Sequence, residues 1–237
     1  MYWIPHHVYL CLTHDGAIWL DTAKDRYSGM SCAAFHMLRP MLHGQAPSEL
    51  TTQDDPCLGG DAEQDIAGQL LSRGLITQDS RLGKPFSQPA IASPRFAVPV
   101  RTDGRPGSVG ARHLSAFLHA CTAALISLRV RSLHCALDRA RRLKAVGRAS
   151  RPQSTELAFE LMHTFTRLRT YAYTAKQACL YDSLVAFEFL SHFGVFPNII
   201  IGVRASPFSA HCWIQHQDSV LNGHAAYCAD FVPILVV

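Results

Sequence analysis

Two stretches decide how this chain is read: QACLYDSLVAFEFLSHFG at residues 177–194, and PFSAHCWIQHQ at residues 207–217. The first is strongly apolar and free of Gly and Pro until Gly194, which predicts a helix. On that helix Cys179, Ser183, Ala186 and Leu190 share one face. The second is strand-like and carries His211 near its mouth. A cysteine in a helix's first turn lies at the positive end of the dipole, where the thiolate is favoured. A histidine within reach of such a thiol makes a nucleophile and base pair. Spacing alone leaves the bland reading open as well. Cysteine is among the most buried residue types, and the chain has eight cysteines and thirteen histidines.

Composition sets the frame around these stretches. The chain has 237 residues, 48% hydrophobic and 17% charged, which excludes a disordered chain and suffices for one large or two small domains. A net charge of +4 is a mild excess and gives no argument for nucleic acid. The cysteines at 11, 32, 57, 121, 135, 179, 212 and 228 form no CxxC pair. They read as free thiols in a reduced, cytoplasmic setting. The N-terminus shows no signal-peptide pattern. No uninterrupted apolar run reaches the roughly 18–20 residues of a membrane span. The longest, Ala123–Val130, contains Arg129.

Upstream, HVYLCL, AIWLDT and DRYSGM predict three short strands, the first two joined by the turn signal THDG. SCAAFHMLRPMLHG predicts a helix capped by Ser31, with Ala34, Phe35, Leu38 and Leu42 approximating one face and Pro40 bending or ending it. A polar loop follows, then the amphipathic helix AEQDIAGQLLSRG with Ile66, Leu70 and Leu71 inward. This order suits a small winged-helix-like module over residues 1–80. Residues 81–112 are rich in Pro and Gly and read as a linker. Residues 113–237 begin with helices and end with the β-type runs PNIIIGVR, SAHCWIQHQ, SVLNG and FVPILVV, an α+β arrangement.

The residues ACLYDSLVAFEFLSHFGVFPNIIIGVRASPFSAHCWIQ and VLNGHAAYCADFVPILVV together resemble the leader-removing B protein of lasso-peptide biosynthesis, a transglutaminase-like (papain-like) cysteine protease. The shared pattern is Cys179-Leu180, Ser183-Leu184, Gly202-Val203, Pro207-Phe208, Ala210-His211 and Trp213-Ile214. It covers about residues 155–237. The first 78 or so residues resemble, by element order, the precursor-recognition module fused to that protease in proteobacterial members.

The resemblance implies that Cys179 attacks the peptide bond between leader and core and that His211 acts as its base. It implies a precursor peptide and an asparagine-synthetase-like cyclase as partners, and a dependence on ATP. No P-loop accompanies that last expectation. It also implies leader binding by strand addition along Arg26, Tyr27, Ser28, Gly29 and Met30, with a helix near Ala67–Leu71 completing a groove. The family has Asn-Asp after the histidine strand, whereas this chain has Asn222-Gly223. Asp218, five to seven extended residues away, stands roughly 15–20 Å from His211. Asn222 is the expected third member, since an Asn can orient a catalytic His. The oxyanion donor is expected to be the backbone N–H of Cys179 plus one other group, with Gln177 a candidate.

The basic run Arg129, Arg131, Arg139, Arg141, Arg142, Lys144 and Arg148 reads as a solvated helix face or as a dock for an acidic partner. The helix AEQDIAGQLLSRG carries two acids and one Arg, which disfavours DNA contact. No metal-ligand spacing is present. Two other readings stand beside the peptidase: a non-catalytic precursor-binding subunit, and an acyltransferase on the same Cys-His scaffold. Neither nucleic acid nor membrane is expected as a partner.

Overall fold

The computed structural model describes residues 1–44, 60–99, 109–147, 154–174 and 178–237. Cys57, Gln177, Arg148, most of the polar loop at 45–61 and residues 100–108 of the expected linker lie outside them. The chain divides into two compact units. The first comprises Met1–Ala90 with Val203–Ser209 and Val232–Ile234, and the second comprises the remainder.

The first unit is sheet-rich. Strands β2 (Val8–Thr13), β3 (Gly16–Asp21) and β4 (Arg26–Met30) form an antiparallel sheet in that order. The strands occur where the apolar runs predict them. A separate pair joins β1 (Ile4–Pro5) to β5 (Gly83–Lys84). Helix α1 (Cys32–Leu38) starts where the backbone N–H of Ala34 donates to Ser31 Oγ, the expected cap. Pro40 then narrows the chain into a 3₁₀ turn at Arg39–Met41. Helix α2 (Gly60–Arg73) follows. Trp19, Phe35, Leu38, Ala67, Leu70 and Phe86 share one buried core.

The second unit carries helices α3 (Ala111–Ile126), α4 (Leu133–Gly147), α5 (Thr155–Arg169) and α6 (Cys179–Ser191). Its five-stranded sheet runs β10 (Val232–Val236), β7 (Asn198–Arg204), β8 (Ser209–His216), β9 (Ser219–Val220), β6 (Phe96–Ala97). Short helix α7 (Ala225–Ala229) precedes β10. Residues 182–190 of α6 are all buried, polar ones included, as expected of a helix apolar on every side. Strand β7 approaches its neighbours closely at Gly202. A Cβ there would lie 2.8 Å from the ring of Trp213 and from Phe231 Cβ, so the Gly-Val pair reflects a packing requirement.

Two expectations change. The stretch read as a linker supplies β5 to one unit and β6 to the other, and Phe86 is a core residue. Proline fixes an extended backbone, which also suits short edge strands. Second, the helix through Ala111–Val130 reaches the length and composition of a membrane span, with mean hydropathy 1.3, yet only 22% of that window is buried. Ser115, His119 and Thr122 interrupt the apolar run, so a search for unbroken apolar residues passes over it.

Candidate active site

Cys179 is the first residue of α6 and is half-buried. His211 lies three residues into β8 and is half-buried as well. The two elements are tied one turn past the cysteine and one residue past the histidine, where Ser183 Oγ donates to the carbonyl of Cys212 at 3.0 Å. Ser183 shares the helical face of Cys179, so this bond brings the head of α6 against the start of β8. Burial pushes the Cys212 thiol up to about 12, with Cys179 adding a smaller electrostatic push in the same direction.

The surroundings of His211 are aromatic. Its ring stacks on Trp213 at 5.9 Å, meets Tyr227 edge-on at 5.1 Å and lies 5.5 Å from Phe231. Among the described residues no carboxylate or carboxamide bonds to it. Burial disfavours the imidazolium and moves the pKa of His211 below the usual histidine value.

Asn222 is engaged elsewhere. Its Oδ1 accepts from the backbone N–H of Ile214 at 2.8 Å, and its Nδ2 donates to Asp182 Oδ2 at 3.1 Å and to Ser183 Oγ at 3.0 Å. The hairpin register explains why. Gln215 faces Val220 and His216 faces Ser219. Continued along the strands, that register sets Asn222 level with Trp213, two residues short of His211. Asp218 lies at the turn of the same hairpin, where its carbonyl accepts from Arg95 and Phe96. Gly223, where the family pattern has Asp, has room for a side chain. A Cβ there would sit 3.6 Å from Cys228 Sγ and Val220 Cγ1, which is ordinary contact.

Asn222 belongs to a buried polar network that the sequence reading passed over. Its hub is Asp182, 1% exposed, in the first turn of α6. Arg169 Nη1 donates to both of its oxygens at 3.1 Å, and the Tyr173 hydroxyl donates to Oδ1 at 3.1 Å. Burial and the Asp182 charge raise the Tyr173 pKa, so that hydroxyl remains a donor. The carboxylate also faces the positive end of the helix dipole. Through Asp182, Ser183 and Asn222, the helix that begins at Cys179 is locked to β8 and to the end of α5. The signal available in sequence was an acid and a serine, Asp182 and Ser183, set into a largely apolar run three and four residues after the cysteine.

Cys11, Cys212 and Cys228 are buried, and burial pushes each up to about 12. The described cysteines are all free, and no group of three metal-ligating side chains occurs among the described residues.

In the first unit β4 is an edge strand of its sheet. Beside it lies a pocket of about 210 Å³, lined by Trp19, Ser28, Met30, Ile66 and Leu70 among others. Arg26, Tyr27, Ser28, Gly29 and Met30 constitute this strand, and α2 supplies the facing wall. The indole N–H of Trp19 is buried without an acceptor among the described residues.

Of the basic run, Arg139 is paired with Glu188 and Arg141 with Asp138. Lys144 donates to Asn198 Oδ1 and to the carbonyl of Val237.

Residues 120–236 match the sequence profile described as the Transglutaminase-like superfamily. No curated protein and no solved structure matches the chain. The superfamily is built on a cysteine-based peptidase or acyltransferase scaffold. Together with the helix-first cysteine and the histidine strand tied to it, the match shows that residues 120–236 are a transglutaminase-like domain of an α+β chain.

Proposed function

We propose that the chain is a cysteine peptidase that removes the leader from a ribosomal precursor peptide, in the manner of the lasso-peptide B protein. The observation that supports the reading is the bond from Ser183 to Cys212, which ties the helix headed by Cys179 to the strand bearing His211. In this reading the Cys179 sulfur attacks the carbonyl at the leader/core junction. His211 takes the thiol proton and returns it to the departing amine. Water then hydrolyses the thioester. Burial of His211 keeps the imidazole neutral and able to accept that proton. Asn222 acts on His211 indirectly, by fixing the N–H of Ile214 and with it the course of β8. The three aromatic rings hold the imidazole where a carboxylate would otherwise orient it.

The open edge of β4 supports strand-wise capture of the leader. Its neighbouring pocket has the size of one large side chain, and the Trp19 N–H supplies an unused donor at its wall. An asparagine-synthetase-like cyclase as consumer of the released core, and ATP as a requirement of the coupled system, belong to the same reading. No residue described above is assigned to ATP.

The test is Cys179→Ala in the full chain with the precursor peptide. Leader release is expected to vanish while precursor affinity stays within about twofold. Continued release would reject the nucleophile assignment. One observation favours the non-catalytic alternative, namely that among the described residues no polar side chain bonds to His211, while position 223 carries a glycine. That alternative predicts precursor binding with no release by the unmodified chain.

A further inference from the structure

The five residues of β4 present two different surfaces. Side chains alternate along a strand, so Ser28 and Met30 share the face of Trp19, while Tyr27 and Gly29 share the face of Leu20. The first face borders the pocket of about 210 Å³, whose walls are apolar at Met30, Ile66, Leu70 and Leu75. Trp19 lines it too, and its indole N–H is the buried donor that finds no acceptor among the described residues. A donor left in that state costs free energy that an incoming acceptor restores. The second face carries an exposed ring. Phe208, 56% exposed, packs on Tyr27 with ring centres 5.4 Å apart. It comes from the β7–β8 connection, which the first unit includes. Gly29 lies two residues along on this face, and a Cβ there would meet nothing within 4 Å. Tyr27, Phe208 and the bare Gly29 thus leave open apolar space beside an edge that meets no further strand among the described residues.

We propose that an extended peptide adding to this edge is read at two consecutive residues. The residue opposite Ser28 inserts a side chain with an apolar stem and a terminal oxygen acceptor into the pocket lined by Trp19. The residue opposite Tyr27 lays a bulky apolar side chain against Phe208. Directly opposed residues of neighbouring strands point to the same face of a sheet, so the two requirements fall on neighbours in the peptide. The donor of Trp19 sets the first requirement, and the two rings with the empty space at Gly29 set the second. Phe208 is then a specificity-determining residue rather than a catalytic one. The inference rests on the strand-capture part of the reading above and not on Cys179. A peptide is favoured over a second copy of the chain because a stable dimer enlists about 20–30 residues a side, and β4 has five.

The probes are fluorescein-labelled strands of Thr and Lys with a central pair Gln-Phe, Met-Phe or Gln-Ala. Each is made in both orders, because a strand can add in either direction. Met keeps the length of Gln without its amide oxygen. Binding to the full chain is followed by fluorescence anisotropy. In one of the two orders the Gln-Phe strand is expected to bind at least tenfold more tightly than Gln-Ala and at least fivefold more tightly than Met-Phe. Phe208→Ala is expected to weaken Gln-Phe at least fivefold and to leave Gln-Ala within about twofold, a selectivity that a general loss of structure would not produce. Trp19→Phe is expected to erase the preference for Gln over Met. Trp19 is a core residue, so the Gln and Met strands are also compared on the unmodified chain, where the result does not depend on that variant folding. Equal binding of the three strands, no binding of Gln-Phe, or equal weakening of Gln-Phe and Gln-Ala by Phe208→Ala would overturn the inference. So would a dimer in sedimentation velocity that Tyr27→Lys dissolves, since that gives the edge to a second copy. Selective strand binding by a chain that releases no leader would refute the peptidase reading and leave this inference standing. Leader release with indifferent strand binding would do the reverse.

Discussion

Asp182→Asn removes one negative charge from a carboxyl group that is 1% exposed, and changes almost nothing in volume. Cavity terms therefore drop out, and the charge decides the outcome. The group left behind is Arg169, whose side chain is only 21% exposed and whose Nη1 bridges both carboxylate oxygens at 3.1 Å. Stranding one member of a buried ion pair costs about 3–5 kcal/mol. A single bridging nitrogen is weaker than a two-nitrogen fork, which places this pair near about 3 kcal/mol. At about 2–4 °C per kcal/mol for a chain of this size, the melting temperature is expected to fall by about 6–12 °C. Arg169→Met strands the carboxylate and is expected to cost a similar amount. The double variant removes both charges and is expected to be less destabilised than the sum, with a coupling of about 1–3 kcal/mol. Urea titration of the four proteins measures this cycle. An Asp182→Asn variant within about 0.5 kcal/mol of wild type, or an additive cycle, would refute the claim that this network holds the head of α6.

Three further outcomes are expected. Gly202→Ala forces a methyl to within 2.8 Å of Trp213 and Phe231, so overpacking is expected to cost about 1–3 kcal/mol in denaturant titration; an unchanged midpoint would show that the sheet yields freely there. Because burial lowers the His211 pKa, its neutral form persists below the usual histidine range, and the acid limb of kcat/KM for leader release is expected below pH 6.5; a limb at or above that value would contradict the buried-base role. The same shift means that the unfolded chain takes up the proton first, so the stability associated with His211 declines as pH drops through about 6.5. Gly223→Asp fits at ordinary contact distance and supplies the carboxylate that the family pattern has there, so leader release is expected to rise at least about tenfold with little change in melting; unchanged release would show that the aromatic setting of His211 suffices.

Much of the local structure was legible because it rests on short-range signals. Ser31 before an apolar helix, the hairpin strands around THDG and the largely apolar, Gly- and Pro-free run after Cys179 each dictate their element without tertiary help. Gly202 was visible only as part of the shared Gly-Val pattern, and the fold supplies its reason in the rings and side chains of Trp213 and Phe231. The polar hub was hidden for a different reason. Arg169 and Tyr173, Asp182, and Asn222 come from three separate segments, and nothing in their spacing requires that they meet. For Asn222 the reading identified the correct hairpin level to within two residues, but a strand register fixes distance along the chain and not the competition among donors and acceptors. Asp182 and Ser183 take up the amide nitrogen, and Ile214 takes up the oxygen. The outward leucines of α3, Leu114, Leu118 and Leu125, were equally hidden, because periodicity identifies an apolar stripe without saying which side of the helix the core covers.

The central claim, that the Cys179 sulfur is the nucleophile, is tested most directly by trapping its covalent intermediate. The full chain is mixed with precursor peptide, quenched in acid within seconds and examined by intact-mass and peptide-mapping mass spectrometry. The account predicts an added mass equal to the leader acyl group, mapped to Cys179 and absent from Cys179→Ala. Leader release without that adduct, or an adduct mapped to any other residue, would contradict it.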